Sequence, residues 1–240
     1  LGVTGANVST SGSRKCYAGA IVGDAVNTTI QNVYSETLTG SDGTVIGGVS
    51  GTIAGGLVGR LGSGSTVKSS YNASPVTLKS NGHGAGVVGY LDGGSIEDAY
   101  NTGAVTGSTT NNNFGIAYIG SNGGTATRVY NTYDNLKLLS GSTAANSGFT
   151  VNDSTIDTLK HLSKFIHKDN NSDAANKTIK SWSAKADNAE NAKATSYISN
   201  DGSTNDYTTW RIYEGSSTPL LTAFFQGTTT ADYNYNYFAN

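Results

Sequence analysis

The sequence predicts an all-β solenoid, in which short strands separated by tight turns coil and stack. Three observations carry that expectation. The first is composition: of 240 residues, 36% are hydrophobic and 13% charged, with 32 Gly and only 2 Pro, against about 45–50% apolar and about 25% charged in an ordinary globular domain. Helical folds need more apolar surface than that. Disordered chains combine low hydrophobicity with high net charge, whereas this one has a net charge of −2 and holds 14 Tyr, 6 Phe and 2 Trp. The second observation is a pattern of small, β-forming and Gly residues that recurs four times in the first half. The third is that Gly and Asn break the strand-like runs, and both accept turns and positive φ at little cost.

Each copy opens with a small residue, two β-formers and a Gly. These are Ala20-Ile21-Val22-Gly23, Gly56-Leu57-Val58-Gly59, Gly86-Val87-Val88-Gly89 and, more loosely, Ala117-Tyr118-Ile119-Gly120. A Tyr follows in each, at Tyr34, Tyr71, Tyr100 and Tyr130, so the copies are 37, 29 and 30 residues apart. Four positions before the Tyr stand Ile30, Val67, Ile96 and Ala126, and directly after it Ser35, Asn72, Asn101 and Asn131. A repeat of this length is too short to bury its own apolar face, so stacking must bury it in continuous columns. The pattern therefore predicts an inward Tyr column, a ladder of Asn side-chain amides, and Gly wherever coils approach closely.

Two copies resemble a known repeat, the GLUG motif, whose Gly-Leu-any-Gly core is followed by a Tyr-Asn-x-Gly-x-Val-x-Gly-like stretch. They are Gly55-Gly56-Leu57-Val58-Gly59 with Val67-Lys68-Ser69-Ser70-Tyr71-Asn72, and Gly86-Val87-Val88-Gly89-Tyr90 with Gly94 to Gly107. The resemblance covers about residues 18–140, and the copy at 114–136 departs from it by placing Tyr118 and Ile119 in the core and losing the Val-x-Gly ending.

From Ser140 the pattern changes, and 141–200 reads as an excursion. Ser154-Thr155-Ile156-Asp157 has the form of a helix N-cap, and Ile156, Leu159, Leu162, Phe165 and Ile166 lie on one helical face, which predicts a short helix over about 155–167. Lys168 to Ala194 is polar and charge-bearing. The later run Thr209-Trp210-Arg211-Ile212-Tyr213-Glu214-Gly215 with Pro219-Leu220-Leu221, together with Trp182, resembles the segment that follows GLUG-type repeats in filamentous-haemagglutinin-like exoproteins of bacterial two-partner secretion. It is expected to close the solenoid over 201–227. Tyr233, Tyr235 and Tyr237 alternate with polar residues, so 228–240 reads as the start of a next module or a tail.

Several function classes fit poorly. With 15 Lys and Arg against 17 Asp and Glu, the chain lacks the clustered positive charge that phosphate binding requires. No apolar run reaches the roughly 18–20 residues of a membrane span. Leu1-Gly2-Val3-Thr4 has neither the basic nor the apolar part of a signal peptide, so the chain is read as an excised or processed piece. Cys16 alone forms neither an intrachain disulfide nor a structural zinc site.

Catalysis on such a scaffold needs convergent carboxylates or a base from adjacent coils. Two positions before the Tyr stand Asn32, Ser69, Asp98 and Arg128, and three before it Gln31, Lys68, Glu97 and Thr127. These read as exposed ion pairs, Asp98 with Arg128 and Glu97 with Lys68, and no catalytic residue is assigned. His83 is placed in a flexible turn, and His161 and His167 are six apart rather than the four of a zinc helix, so no metal and no cofactor is expected. Gly62-Ser63-Gly64-Ser65 lacks the strand and helix of a nucleophile elbow and is read as a turn. The Gly-rich turns lack the Lys-Ser/Thr ending of a phosphate cradle. Six Asn-x-Ser/Thr sequons, at Asn7, Asn27, Asn72, Asn152, Asn170 and Asn176, follow mostly from composition. Thr39, Thr77 and Thr106 after the Tyr column do not make the repeated Thr-x-Thr of an ice- or polysaccharide-surface binder.

The reading is thus an all-β fold which, by the family resemblance, is a right-handed parallel β-helix with a short helical excursion. The resemblance also implies a nonenzymatic, secreted or cell-surface bacterial adhesin that binds host or neighbouring-cell glycans or proteins, or displays an adhesive tip. Its expected partners are those surface ligands and an outer-membrane transporter during export, with no nucleic acid, no membrane insertion and a monomeric state. The alternatives are a polysaccharide hydrolase or lyase, and a passive stalk or an ice- or polysaccharide-surface binder. No ligand-binding residue is singled out.

Overall fold

Runs such as Thr66-Val67-Lys68 and Ser95-Ile96-Glu97 alternate polar and apolar residues, and successive strand side chains face opposite sides, so each run buries one column and presents the other. The computed structural model describes residues 1–10, 16–37, 45–47, 51–78, 82–107, 112–132, 136–140, 150–151, 156–161, 166–168, 179–181, 184–187, 194–198, 209–213, 217–221 and 224. Among the described residues the chain is all-β, with no α-helix. It divides into two units, Leu1–Ser154 and Thr155–Asn240.

In the first unit the repeats lie one above the next. A seven-stranded sheet is ordered Gly2–Thr4, Tyr34–Glu36, Thr66–Asn72, Ser95–Asn101, Thr125–Asn131 and Thr150–Val151, and Thr29–Gln31 also pairs with Thr66–Asn72. All these pairings are parallel. Tyr34, Tyr71, Tyr100 and Tyr130 share one register, as do Ile30, Val67, Ile96 and Ala126. A second parallel sheet holds Val8–Ser9, Val45–Gly47, Val76–Leu78 and Val105–Thr106. The third contains two parallel ladders. One stacks Tyr17–Gly19, Ile53–Gly55 and His83–Ala85, and the other Val22–Ala25, Val58–Gly62 and Val88–Asp92. The continuous strand Asn113–Ile119 pairs with both ladders and with Lys137–Leu139, so this eight-stranded sheet doubles back on itself.

That strand also corrects the alignment of the fourth copy. Ala85 is opposite Phe114 and Val88 opposite Ala117, which sets Gly115-Ile116-Ala117-Tyr118 against Gly86-Val87-Val88-Gly89. A register shift between Val88 and Leu91 then restores pairing at Ile119.

The aliphatic core joins the sheets. Val67, Ile96 and Ala126 meet Leu57, Val87, Val88, Leu91 and Ile116 in one cluster, all at 0% exposure. The position two before each Tyr has left-handed backbone, with φ of 53° at Asn32, 48° at Ser69, 52° at Asp98 and 51° at Arg128. A non-Gly residue there costs about 1–2 kcal/mol, and the same bend is made in all four layers. In the first copy it separates Thr29–Gln31 from Tyr34–Glu36.

In the second unit, Ala184–Asp187 pairs antiparallel with Ala194–Ile198 and parallel with Trp210–Tyr213, which pairs antiparallel with Leu220–Leu221. Ile166–Lys168 and Ile179–Ser181 form an antiparallel pair. Trp210, Ile212, Leu220 and Leu221 are buried. The Trp-containing segment pairs within this mixed sheet. One expectation is corrected here. Among the described residues the helix expected over 155–167 is absent: a single 3₁₀ turn, Thr158–Lys160, ends at His161 in extended backbone, and Ile166–Lys168 is a strand. Of the apolar stripe that prompted it, Leu159 is enclosed and Ile156 is 52% exposed, while Leu162 and Phe165 lie outside the described residues; a short helix without a packed face is marginal. The tail at 228–240 lies outside the described residues.

Candidate functional site

The predicted Asn ladder is present and closed. Asn101 Oδ1 accepts from Asn72 Nδ2 at 2.8 Å and from the Gly103 N–H at 3.2 Å, while its Nδ2 donates to Gly103 O at 2.8 Å and to Asn131 Oδ1 at 2.9 Å. All four capacities of the amide are used. In the first layer Ser35 takes the Asn position, and its hydroxyl lies 2.9 Å from that of Ser74. The Gly that opens each copy faces this ladder: a Cβ on Gly56, Gly86 or Gly115 would collide with the amide of Asn72, Asn101 or Asn131. Ala20, which register places opposite Gly56, accompanies the smaller Ser35.

Tyr71, Tyr100 and Tyr130 are buried and Tyr34 half-buried, but the Tyr column does not point inward. Val33, Ala99 and Val129 belong to the aliphatic core, so the tyrosines that follow them face the opposite side of the sheet. Tyr100 and Tyr130 are nevertheless 1% and 0% exposed. The rings stack at 5.1 Å (Tyr34–Tyr71) and 4.9 Å (Tyr71–Tyr100), close to the spacing of neighbouring strands. The Tyr71 hydroxyl donates to Glu36 Oε2 at 3.3 Å, and burial holds the Glu36 carboxyl above its ordinary range despite that bond.

Asp98 and Arg128 do pair, through Arg128 Nε and through Nη2 at 3.1 Å. The pair is enclosed rather than exposed, with the Asp98 side chain 2% accessible, and burial raises the Asp98 carboxyl despite the guanidinium. Lys68 and Glu97 are register neighbours. His83 lies in the strand His83–Ala85, not in a turn. His161 is exposed, and His167 falls in Ile166–Lys168. The described residues contain no cluster of three potential metal ligands, and no helix among them is long and apolar enough to cross a membrane. Gly62 to Ser65 is a turn, closed by Ser65 N–H to Gly62 O at 3.2 Å. Of the sequons, Asn7 and Asn27 are exposed and Asn72 is sealed in the ladder, while Asn152, Asn170 and Asn176 lie outside the described residues.

An unanticipated constellation runs along the third sheet. Within one layer its two arms meet at a tight Gly corner, where a Cβ on Gly19 or Gly55 would strike the carbonyl of Val22 or Val58. Outward side chains of the two arms therefore converge. Tyr17 and Tyr90 stack with centroids 6.3 Å apart, Tyr90 and Tyr118 at 5.6 Å, and His83 lies on Tyr118 at 3.8 Å. Arg60 crosses the same seam. Its Cζ is 5.9 Å from the Tyr17 ring, Nη1 reaches Asp24 Oδ1 at 3.0 Å, and Nη2 reaches Asp92 Oδ2 at 2.9 Å.

Tyr17, His83, Tyr90, Tyr118 and Arg60 are half-buried, Asp24 is exposed and Asp92 buried. Burial pushes the Asp92 carboxyl up, but the Asn122 N–H at 3.1 Å and the Arg60 guanidinium outweigh it and hold the carboxyl below its ordinary range. The seam thus offers partly exposed aromatic surface beside a guanidinium shared by two carboxylates. A sequence signal for it exists: Asp24, Arg60 and Tyr90 each directly follow the last Gly of a copy, and Tyr17, Ile53 and His83 stand three before the first residue. Comparisons with protein-family models, curated proteins and solved structures give no match for this chain.

Proposed function

We propose that the chain belongs to a nonenzymatic bacterial surface adhesin, exported through an outer-membrane transporter, with its first unit a right-handed parallel β-helix. It binds host or neighbouring-cell glycans or proteins at the cell surface or as a secreted protein. The in-register parallel strands of successive repeats support the β-helix. The observation that carries the functional reading is the seam, which joins half-exposed rings to a guanidinium shared by two carboxylates.

The same seam weighs against the hydrolase or lyase alternative. A general acid needs a carboxyl with a raised pKa, and Asp92 is held below its usual range while Arg60 ties it to Asp24. Asp98 is raised, but it is sealed against Arg128. Incubation with a panel of polysaccharides tests this reading. Retention on glycan or host-cell surfaces without new reducing ends or unsaturated products is expected. Product formation would overturn it, and retention on neither surface would leave the passive stalk.

A further inference from the structure

We propose that the Tyr17–Tyr90–Tyr118 seam is a binding site for neutral glycan chains laid along the stack, a ligand assignment that rests on the adhesin reading above. The three rings come from different repeats, with centroid steps of 6.3 and 5.6 Å and interplanar angles of 19° and 18°. Their half-exposed surfaces form a track parallel to the stacking direction. The rings cover one another's faces, with His83 on Tyr118 and Arg60 over Tyr17, so they meet a chain edge-on, and their positive edges and polar tips match the hydroxyl oxygens of sugars. The polar groups beside them fit hydroxyls. Asp24, with 48% of its side chain accessible, accepts from hydroxyl donors. Arg60, with 24% accessible, has N–H groups that donate to sugar oxygens.

Charge selects the class of sugar. One guanidinium faces two carboxylates, so the seam is net negative and disfavours uronates, sialates and sulfated chains. A neutral polyol loses no ion pair on entering, and it finds donors and acceptors already held in place by the Arg60–Asp92 and Asp92–Asn122 bonds.

The test uses the full chain on an array of neutral and anionic glycans, followed by calorimetric titration with cellohexaose, chitohexaose, mannohexaose and polygalacturonate. Expected is binding to at least one neutral chain, weakened about tenfold or more by Tyr118→Ala and by Tyr90→Ala, the loss of about 1.4 kcal/mol of edge contact. Tyr118→Phe keeps most of the affinity, and Asp24→Ala, at an exposed position, weakens it without touching the fold. Circular dichroism and the thermal midpoint of each variant establish that it is folded. Neutral-chain binding unchanged in folded Tyr118→Ala, Tyr90→Ala and Asp24→Ala would place the site elsewhere and leave the adhesin reading standing. Binding of anionic chains alone overturns the neutral assignment. Binding of a surface protein with no glycan bound overturns the glycan site but not the adhesin, whereas turnover of any polysaccharide overturns the adhesin reading itself.

Discussion

Replacing Asn101 with Ala tests the interior spine most directly. Asn101 is fully buried and makes four hydrogen bonds, to Asn72 Nδ2, to the Gly103 N–H and carbonyl, and to Asn131 Oδ1. Truncation leaves all four partners without it. A buried donor or acceptor stranded in this way costs about 1–3 kcal/mol, and a water admitted to the polar hole recovers part of the sum. The expected loss is about 4 kcal/mol, a large share of the roughly 5–15 kcal/mol of a whole domain. At about 2–4 °C per kcal/mol for a chain of this size, the midpoint falls by about 8–16 °C.

Chemical denaturation followed by far-ultraviolet circular dichroism measures that loss. Hydrogen exchange over residues 95–107 localises it, because the Gly103 amide loses its acceptor. Asn101→Asp separates hydrogen bonding from shape. It removes both donors, aims carboxylate oxygens at Asn131 Oδ1 and Gly103 O, and buries a charge, so its folded pKa is raised. A raised acid gives stability that is present below the unfolded pKa and lost as pH climbs through the folded one, so Asn101→Asp is expected to weaken with rising pH more than Asn101→Ala does. A midpoint within about 2 °C of wild type for Asn101→Ala, with Gly103 exchange unchanged, would refute the ladder as a stabilising element.

Three further outcomes follow from the same geometry. Gly86→Ala drives a Cβ into the Asn101 amide and the Gly115 carbonyl and is expected to destabilise by about 1–3 kcal/mol or more, as overpacking does; adding Asn101→Ser, the smaller pairing of the first layer, recovers part of that in a double-mutant cycle, and strict additivity would refute the contact. Tyr100→Ala is expected to cost about 3–5 kcal/mol in the same denaturation assay, the range for emptying a buried aromatic site, even though the ring faces away from the aliphatic core. Glu36→Gln is expected to stabilise at neutral pH: burial raises the Glu36 pKa from 4.5, so wild-type stability falls as pH rises from the unfolded value through the folded one, and the advantage of Gln grows over that window and vanishes below it. Denaturation midpoints at about pH 4 and about pH 7 read this difference, and an advantage of the same size at both would refute it.

The stack was legible because its determinants are local and repeated. The aliphatic column, the Tyr register and the Asn ladder each occupy a fixed offset from a Gly motif, and that offset survives in the pairing of Val67, Ile96 and Ala126. The direction of the Tyr was hidden because the bend at Asn32, Ser69, Asp98 and Arg128 leaves no trace in composition; four residue types share one backbone conformation there. The fourth copy was misaligned for a related reason: Tyr118 stands where earlier layers have Gly89 followed by Tyr90, and a register shift absorbs the missing residue. The helix failed because periodicity records where apolar residues would lie if helical, while among the described residues Leu159 is enclosed and Ile156 is half exposed. The seam was missed because its members come from both arms of the third sheet and from every layer, so only the Gly corner at Gly19 and Gly55 brings them together.

The two sides of the third sheet are under different constraints, which bears on where recognition resides. Inside, a substitution at one layer is felt by the next. Gly56 and Asn72 change together with Ala20 and Ser35, because one backbone spacing must hold either a bare Gly against an amide or an Ala against a hydroxyl. Outside, the residue after the last Gly is Asp24, Arg60 or Tyr90 in successive layers, with no change in register at Val22, Val58 and Val88. The fold therefore tolerates a charge, its counter-charge and a ring at equivalent positions. A repeat protein whose interior is fixed layer by layer diversifies its surface at such positions, and their convergence on one seam fits recognition better than spacing. A passive stalk has no need to hold Arg60 between two carboxylates from the layers on either side of it.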